Sequence, residues 1–368
     1  MSFYDCYTEH KNIDFEDFFK QIKDEDILNI LNKDKISKQD FLALLSPTAE
    51  KHMEKIAQKA HELSLQHFGK TILLFTPLYI SNYCVNKCAY CSYNVENKIK
   101  RKTLTMKEIE QEAKAIASSG LKHILVLTGE SSTEAPVSYI VDAVKILKKY
   151  FDSISIEIYP LTTEEYIKVV EAGVDGLTLF QETYDECIYD KVHIKGPKKD
   201  YKFRLDAPER GCKAKVRSIN IGALLGLADW RKESFYTALH AEYLQNKYAE
   251  MEVSISTPRI RPHVGSFNDL CFVEDKNLLQ IILAFRIFLP RVGITLSTRE
   301  TQSFRDNLIP LGITKMSAGV STEVGGHTSS SSSGESQFEI SDDRTVAEVK
   351  QAILAKNYQP IFKDWMAL

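Results

Sequence analysis

Two rhythms of apolar and polar positions divide this chain. Up to about Gly69 the apolar residues return at helical spacing: Met53, Ile56, Ala57, Ala60 and Leu63 share one face, and Ser46-Pro47 reads as an N-cap followed by proline at the first helical position. From Lys70 onward short β-rich runs alternate with amphipathic stretches. The runs are TILLFTPLYI (71–80), HILVLTG (123–129), SISIEIY (153–159), GLTLFQE (176–182), SINIGALLGL (218–227), EVSISTP (252–258), ITLSTRE (294–300) and KMSAGVS (315–321). Between them, Thr105 with Glu108 and Thr162 with Glu165 form capping boxes, and Gly120 and Gly173 stand where helices end. Eight such alternations predict an α/β fold, a (β/α)8 TIM-type barrel over 70–322. An N-terminal helical extension (1–69) precedes it, and a C-terminal loop and helical tail (323–368) follow. A doubly wound open sheet is the other arrangement of this pattern, but no G-x-G-x-x-G follows the first strand. The tail begins with a Gly/Ser-rich loop whose composition favours flexibility over packing, continues as a helix over DDRTVAEVKQAIL, and ends as a short docked segment.

Composition narrows the partners. The net charge is −3 with both signs interspersed, which gives no overall basic character suited to nucleic acid or an anionic membrane. The first residues have neither a basic nor an apolar leader region, and no apolar run approaches a membrane span. A soluble cytoplasmic protein that handles small molecules and other proteins is expected. The odd number of cysteines, 7, fits reduced thiols.

In a parallel barrel the C-terminal ends of all strands meet on one face, where active sites are built. Polar and unusual residues cluster at those ends: Thr128-Gly129-Glu130 after the second strand, Glu157 after the third, Glu182 after the fourth, Gly222 at the fifth, Ser256 to His263 after the sixth, Arg299 and Glu300 after the seventh, and Ser317 at the eighth. The densest chemistry follows the first strand. In SNYCVNKCAYCSYN (81–94), Cys84, Cys88 and Cys91 fall within eight positions. A structural zinc site takes four ligands, and the remaining cysteines are isolated, so zinc would need a histidine or a remote cysteine. Three thiolates in one loop suit a [4Fe-4S] cluster with one iron left without a protein ligand. Both readings stay open on spacing alone: a catalytic cluster, or a structural cysteine-bound metal in an otherwise inert barrel.

With C-x3-C-x2-C after the first strand, and an aromatic residue, Tyr90, just before the last cysteine, the chain resembles the radical SAM superfamily. The resemblance implies Cys84, Cys88 and Cys91 as cluster ligands and S-adenosyl-L-methionine chelated on the open iron. One electron then releases methionine and a 5′-deoxyadenosyl radical. It also implies that Tyr90 packs against the adenine, that Thr128, Gly129 and Glu130 hold the methionyl ammonium, that Glu182 reaches the ribose hydroxyls, and that Arg204 meets the methionyl carboxylate. Glu157 and Gly222 join this cofactor-binding group by their position at strand ends.

From about Phe75 onward the chain is similar to the tyrosine lyase branch, the ThiH-type 2-iminoacetate synthases of thiazole and thiamine biosynthesis. FQETY, HIKGPKKDYKFRLDAPERG (193–211), SINIGALLGLADWR (218–231), STPRIRPHVG, STRE and the terminal QFEISDDRTVAEV carry the likeness. One departure is GCKAKVRSI, where the family pattern has a glycine near Lys215. The implied reaction splits L-tyrosine at Cα–Cβ into 2-iminoacetate and p-cresol, with Arg259 or Arg261 on the substrate carboxylate. Ser256, Arg299 and Ser317 would be wall contacts, and His263 or Glu300 would handle the phenol proton. Pairing with Glu300 or Glu323 is the structural reading of these arginines. The hydrogenase-maturation lyase shares most of these motifs but needs a further cysteine cluster, and no cysteine follows Cys271 before Leu368. Biotin synthase-like enzymes share the barrel but lack the PRIRP and STRE pattern. The resemblance further implies a thiazole synthase and its sulfur-carrier protein as partners, a flavodoxin or ferredoxin as electron donor, and a gating or docking role for the Ser-rich loop near 328–334.

Overall fold

A computed structural model describes all residues except 1, 266, 329–335, 364 and 366–368. Most of the Ser-rich loop therefore lies outside the described residues. Eight parallel strands form a closed barrel: β1 (Thr71–Ser81), β2 (His123–Thr128), β3 (Ser153–Glu157), β4 (Gly176–Glu182), β5 (Ser218–Ala223), β6 (Glu252–Ser256), β7 (Gly293–Leu296) and β8 (Lys315–Ser317). Each pairs with the next, and Leu73 of β1 in register with Lys315 of β8 closes the ring. The predicted barrel is present.

Local chemistry sets the element boundaries. The Thr105 and Thr162 side chains accept from the N–H groups of Glu108 and Glu165, whose carboxylates accept in return from the cap N–H groups at 2.8 and 3.0 Å. Strands β5 to β8 are shorter than the hydrophobic runs that predict them. After Ala223, for example, only an isolated bridge from Leu225 to Arg259 continues the pairing with the β6 side, and LLGL otherwise becomes a loop over the barrel mouth. Lys215 has φ 65°, the left-handed region that costs a non-glycine residue about 1 kcal/mol.

The lumen departs from the usual filling by branched apolar side chains. Ser155, Thr178, Ser218, Asn220, Ser254 and Ser256 project into it, and the Asn220 amide ties Ser254, Ser256 and Thr178 together. Thr178, Asn220 and Ser256 line a cavity in the C-terminal half of the barrel, and Ser218 and Ser254 line another at its N-terminal end.

Helices between Phe3 and Phe68 pack against the outside. Phe3 stacks on His240 with ring centroids 4.0 Å apart, and Phe41 stacks on Phe288 at 4.7 Å. The helix Trp230–Lys247 is thereby buried along most of its length, between the barrel and this layer. The tail helix Val346–Ala355 leads to a short strand, Gln359–Ile361, which pairs with Thr71–Leu73 of β1. Among the described residues no helix is long and apolar enough to cross a membrane.

Candidate active site

The cysteine loop leaves β1, and its backbone carbonyls are capped by two side chains. Arg101 donates to the carbonyls of Asn82, Tyr93 and Asn94 at 2.7 to 3.0 Å, and Asn97 donates to those of Cys91 and Ser92. Lys87-Cys88 forms a short antiparallel ribbon with His193–Lys195. Cys84, Cys88 and Cys91 face one cavity, which Thr128, Gly129 and Glu130 also line. Burial pushes the Cys88 thiol up to about 12 and that of Cys91 up to about 11, and the neighbouring thiols add to both shifts. Bound iron would reverse this balance by holding them as thiolates.

The turn after β2 is stitched to this loop. The Gly129 N–H donates to the Ser81 carbonyl, the Val85 N–H donates to the Glu130 carbonyl, and any side chain at 129 would strike the Tyr83 carbonyl. Glycine is required by close approach here. The Glu130 carboxylate accepts from the Asn86 amide at 2.5 Å. Asn86 is buried and also accepts the Lys198 N–H through its Oδ1 at 2.9 Å. It joins three segments of the site, and its one visible sequence signal is its place between Cys84 and Cys88.

Glu182 ends β4 at a bulge, with φ 72°. Its carboxylate accepts from Lys198 Nζ at 2.7 Å and from Arg204 at 3.2 Å, while Arg204 Nε donates to the Phe180 carbonyl. Burial alone would raise the Glu182 carboxyl, but the two cations outweigh it and hold it below its usual range. Glu157 lacks such partners at bonding distance: burial and the Glu182 charge push it up to about 7 against the pull of Arg299, Arg204 and Lys198. The Tyr90 hydroxyl donates to His193 Nε2 at 2.7 Å, because His193 Nδ1 is engaged with the Tyr189 carbonyl. Lys198 lies 5.5 Å from the Tyr90 ring centre. Lys198 and His193 lie in the 193–211 segment, far along the chain from the cysteines, and no local pattern shows that they face this cavity.

A second cavity opens into the lumen beneath, lined by aromatic and aliphatic side chains with Asn220, Ser256 and Ser317 among its polar groups. Between the two lies a third, bordered by Tyr90, Cys91, Arg261 and Arg299. Glu157 and Gln337 line all three. Gln337 accepts from the Tyr79 hydroxyl at 2.8 Å, and Phe338 lies under the Arg299 guanidinium at 3.5 Å. The segment after the Ser-rich loop thus crosses the barrel mouth and supplies site residues that its place in the tail conceals.

The arginine candidates separate. Arg259 is turned to Glu300 as a bidentate pair, to Asp275 at 2.7 Å and to the Val273 carbonyl at 2.9 Å. Arg261 faces the cavity, and its Nε is buried without a hydrogen-bond partner. Arg299 faces both cavities and donates to the Arg259 carbonyl at 3.2 Å. His263 sits over the cysteine loop, 3.4 Å from the Ala89 carbonyl, outside the lining of these cavities. Gly222 closes the β5 end, where an added Cβ would strike the Ser256 carbonyl.

The donor set suits a cluster. Among the described residues no three His, Cys, Asp or Glu side chains converge as on a single ion. Three thiols on a cubane bind three different irons and need no such convergence. Beside them the Thr128 hydroxyl is buried without a partner, as a cavity for a zwitterionic amino acid group would leave it.

Residues 78–240 match the Radical SAM superfamily, and residues 256–359 match the Biotin and Thiamin Synthesis associated domain. The chain is 38% identical over 359 residues to 2-iminoacetate synthase of Escherichia coli (strain K12), covering 96% of this chain and 95% of that protein. It is 39% identical over 341 residues to 2-iminoacetate synthase of Salmonella typhimurium (strain LT2), covering 92% and 90%. The crystal structure of HydG, a maturase of the [FeFe]-hydrogenase, superposes with a TM-score of 0.90 at 32% identity, over 95% of this chain and 79% of that one.

Proposed function

The chain belongs to the radical SAM superfamily and, within it, to the 2-iminoacetate synthase family, and on that premise we propose that it cleaves the Cα–Cβ bond of L-tyrosine to 2-iminoacetate and p-cresol, with 5′-deoxyadenosine and methionine as co-products. It is a radical SAM lyase. The observation that carries the tyrosine reading is the juxtaposition of a three-thiol cavity with a hollow, hydroxyl-lined lumen, bridged by two arginines that have no carboxylate at bonding distance.

Cys84, Cys88 and Cys91 would hold the [4Fe-4S] cluster. Glu130, Thr128 and Gly129 would receive the methionyl group of S-adenosyl-L-methionine, while Glu182, Arg204 and Tyr90 would bound its remainder. Bound together, cluster and cofactor supply a radical that takes a hydrogen atom from the substrate amine. The protein's part is orientation. Arg261 and Arg299 anchor the substrate carboxylate near the mouth, which points the aromatic ring down between Phe180 and the β1–β2 wall. Ser256, Ser317 and Asn220 then meet the phenol end. Arg259 is committed to Glu300 and Asp275, so in this reading it props the wall that carries Arg261.

The imine product hydrolyses in water, so handover to a thiazole synthase and its sulfur carrier is the expected next step, in the cytoplasm, where thiols remain reduced. The test is anaerobic. Protein reconstituted with iron and sulfide, reduced, and given S-adenosyl-L-methionine and tyrosine should form 5′-deoxyadenosine, p-cresol and glyoxylate, the hydrolysis product. Deoxyadenosine without p-cresol would move the substrate elsewhere within the superfamily.

A further inference from the structure

The proposed reaction sets an electron count that the protein must meet from outside. One electron opens the carbon–sulfur bond of the cofactor. When the Cα–Cβ bond breaks, the phenolic fragment leaves as a benzylic radical, and it becomes p-cresol only by gaining a second electron and a proton. Two electrons therefore enter per turnover, and the surface nearest the cluster ligands is the outer face of the cysteine loop.

That face has a character of its own. Residues 81–104 carry five cations (Lys87, Lys98, Lys100, Arg101, Lys102) and one acid, Glu96, in a chain whose net charge is −3. The segment 191–202, which supplies the other strand of the ribbon, also carries five lysines and one acid, Asp200. Arg101 and Lys198 are used internally, and Lys87, Lys191 and Lys199 each meet a carboxylate at 2.7 to 2.8 Å. Lys98, Lys100 and Lys195 are exposed. Val85, Val95, Ile194 and Val264 are exposed as well, at 42 to 47%. All four sit on the loop or bond to it: the Val95 N–H donates to the Asn86 carbonyl, Ile194 lies in the ribbon, and the Val264 carbonyl accepts from Asn97. Four exposed aliphatic side chains on and beside the cysteine loop, ringed by lysines in a chain of net charge −3, describe a small interface with a charged rim.

We propose that this collar is the docking surface for an acidic one-electron carrier protein, which delivers both electrons through the cysteine loop. The inference rests on the lyase reading for its electron count and on the surface itself for its partner. Opposite charge steers encounter, and a small apolar centre permits the fast release that repeated delivery needs.

The experiment uses the reconstituted holoprotein and a purified flavodoxin of net negative charge. The variant is Lys98→Glu/Lys100→Glu/Lys195→Glu, which touches none of the cavity residues. Calorimetry with oxidised flavodoxin should show affinity weakened about tenfold or more at low salt, with the wild type losing affinity as salt rises and the variant not. Flavodoxin-driven p-cresol formation should fall in parallel, while dithionite-driven formation stays within about twofold, since rim charges act on encounter and not on chemistry. Unchanged flavodoxin affinity in the variant, or salt-independent binding by the wild type, overturns the proposal. If dithionite yields no p-cresol even from the wild type, the lyase reading has failed, and the binding measurement still decides the surface. Weakened binding of a thiazole synthase with flavodoxin binding intact would assign the collar to the other partner and overturn the proposal as well.

Discussion

The two ends of the barrel hold cations in opposite states. At the N-terminal end, Arg217 donates to Asp175 at 3.1 Å and to Glu252 at 2.7 Å, and the fully buried Arg286, although its Nε also has no partner, donates through both terminal nitrogens to the carbonyls of Pro290, Val292 and Gly312. At the C-terminal mouth, Arg261 has a buried Nε with no partner, and Arg299 rests on an aromatic ring and a single carbonyl. A buried cation surrounded by acceptors is part of the structure; one left facing a cavity keeps donors open toward it. The difference sorts arginines that look alike in sequence, Arg259 with the first kind and Arg261 with the second.

Four measurements test this contrast. The largest effect belongs to the cysteines. Cys88→Ala should lose the iron–sulfur absorbance after reconstitution and drop p-cresol formation to background, and a fully active variant would remove the cluster from the mouth. Next, Arg299→Met or Arg261→Met should cut kcat/KM for tyrosine by about 30-fold or more, mainly through KM, with little change in melting temperature, as expected for a lost charged hydrogen bond to substrate.

Arg217→Met should do the converse. It strands the buried Asp175 carboxylate and should lower unfolding free energy in urea by about 2–4 kcal/mol while leaving the tyrosine KM unchanged. Arg259→Met should behave like Arg217→Met more than like its neighbour Arg261. A KM effect confined to Arg259 would reverse the assignment of the pair.

The smallest effect is a pH slope. Burial pushes Glu233 up to about 7, although it accepts from Thr183 and from the Tyr184 N–H. Its folded pKa thus lies above the unfolded value of about 4.3, so the folded state binds its proton more tightly. That contribution to stability is complete below about 4.3 and is lost as pH rises through about 7. Glu233→Gln should flatten this part of the stability profile between those limits, and an unchanged slope would place the titration elsewhere.

What was legible along the chain was whatever depends on neighbours in sequence. Short β-rich runs alternating with capped helices require little more than local backbone preference, so they yielded the closed eight-stranded barrel. The three thiols of one loop and the Thr128-Gly129-Glu130 turn were visible for the same reason. Lys198 on Glu182, Asn86 between Glu130 and the 193–199 segment, and Gln337 across the mouth were not. Each owes its place to contacts over 16 to 258 positions of chain. Nor does sequence tell which way a guanidinium turns: Arg259 and Arg261 differ by two positions, and the first meets Glu300 and Asp275 while the second faces the cavity. Periodicity and spacing are enough to define the barrel, the helices that precede it and the three-cysteine loop, because each depends on near neighbours in the chain. Tertiary structure alone decided which charges are paired and which remain open to a ligand, because pairing depends on where folding brings distant side chains and on how much water is left between them.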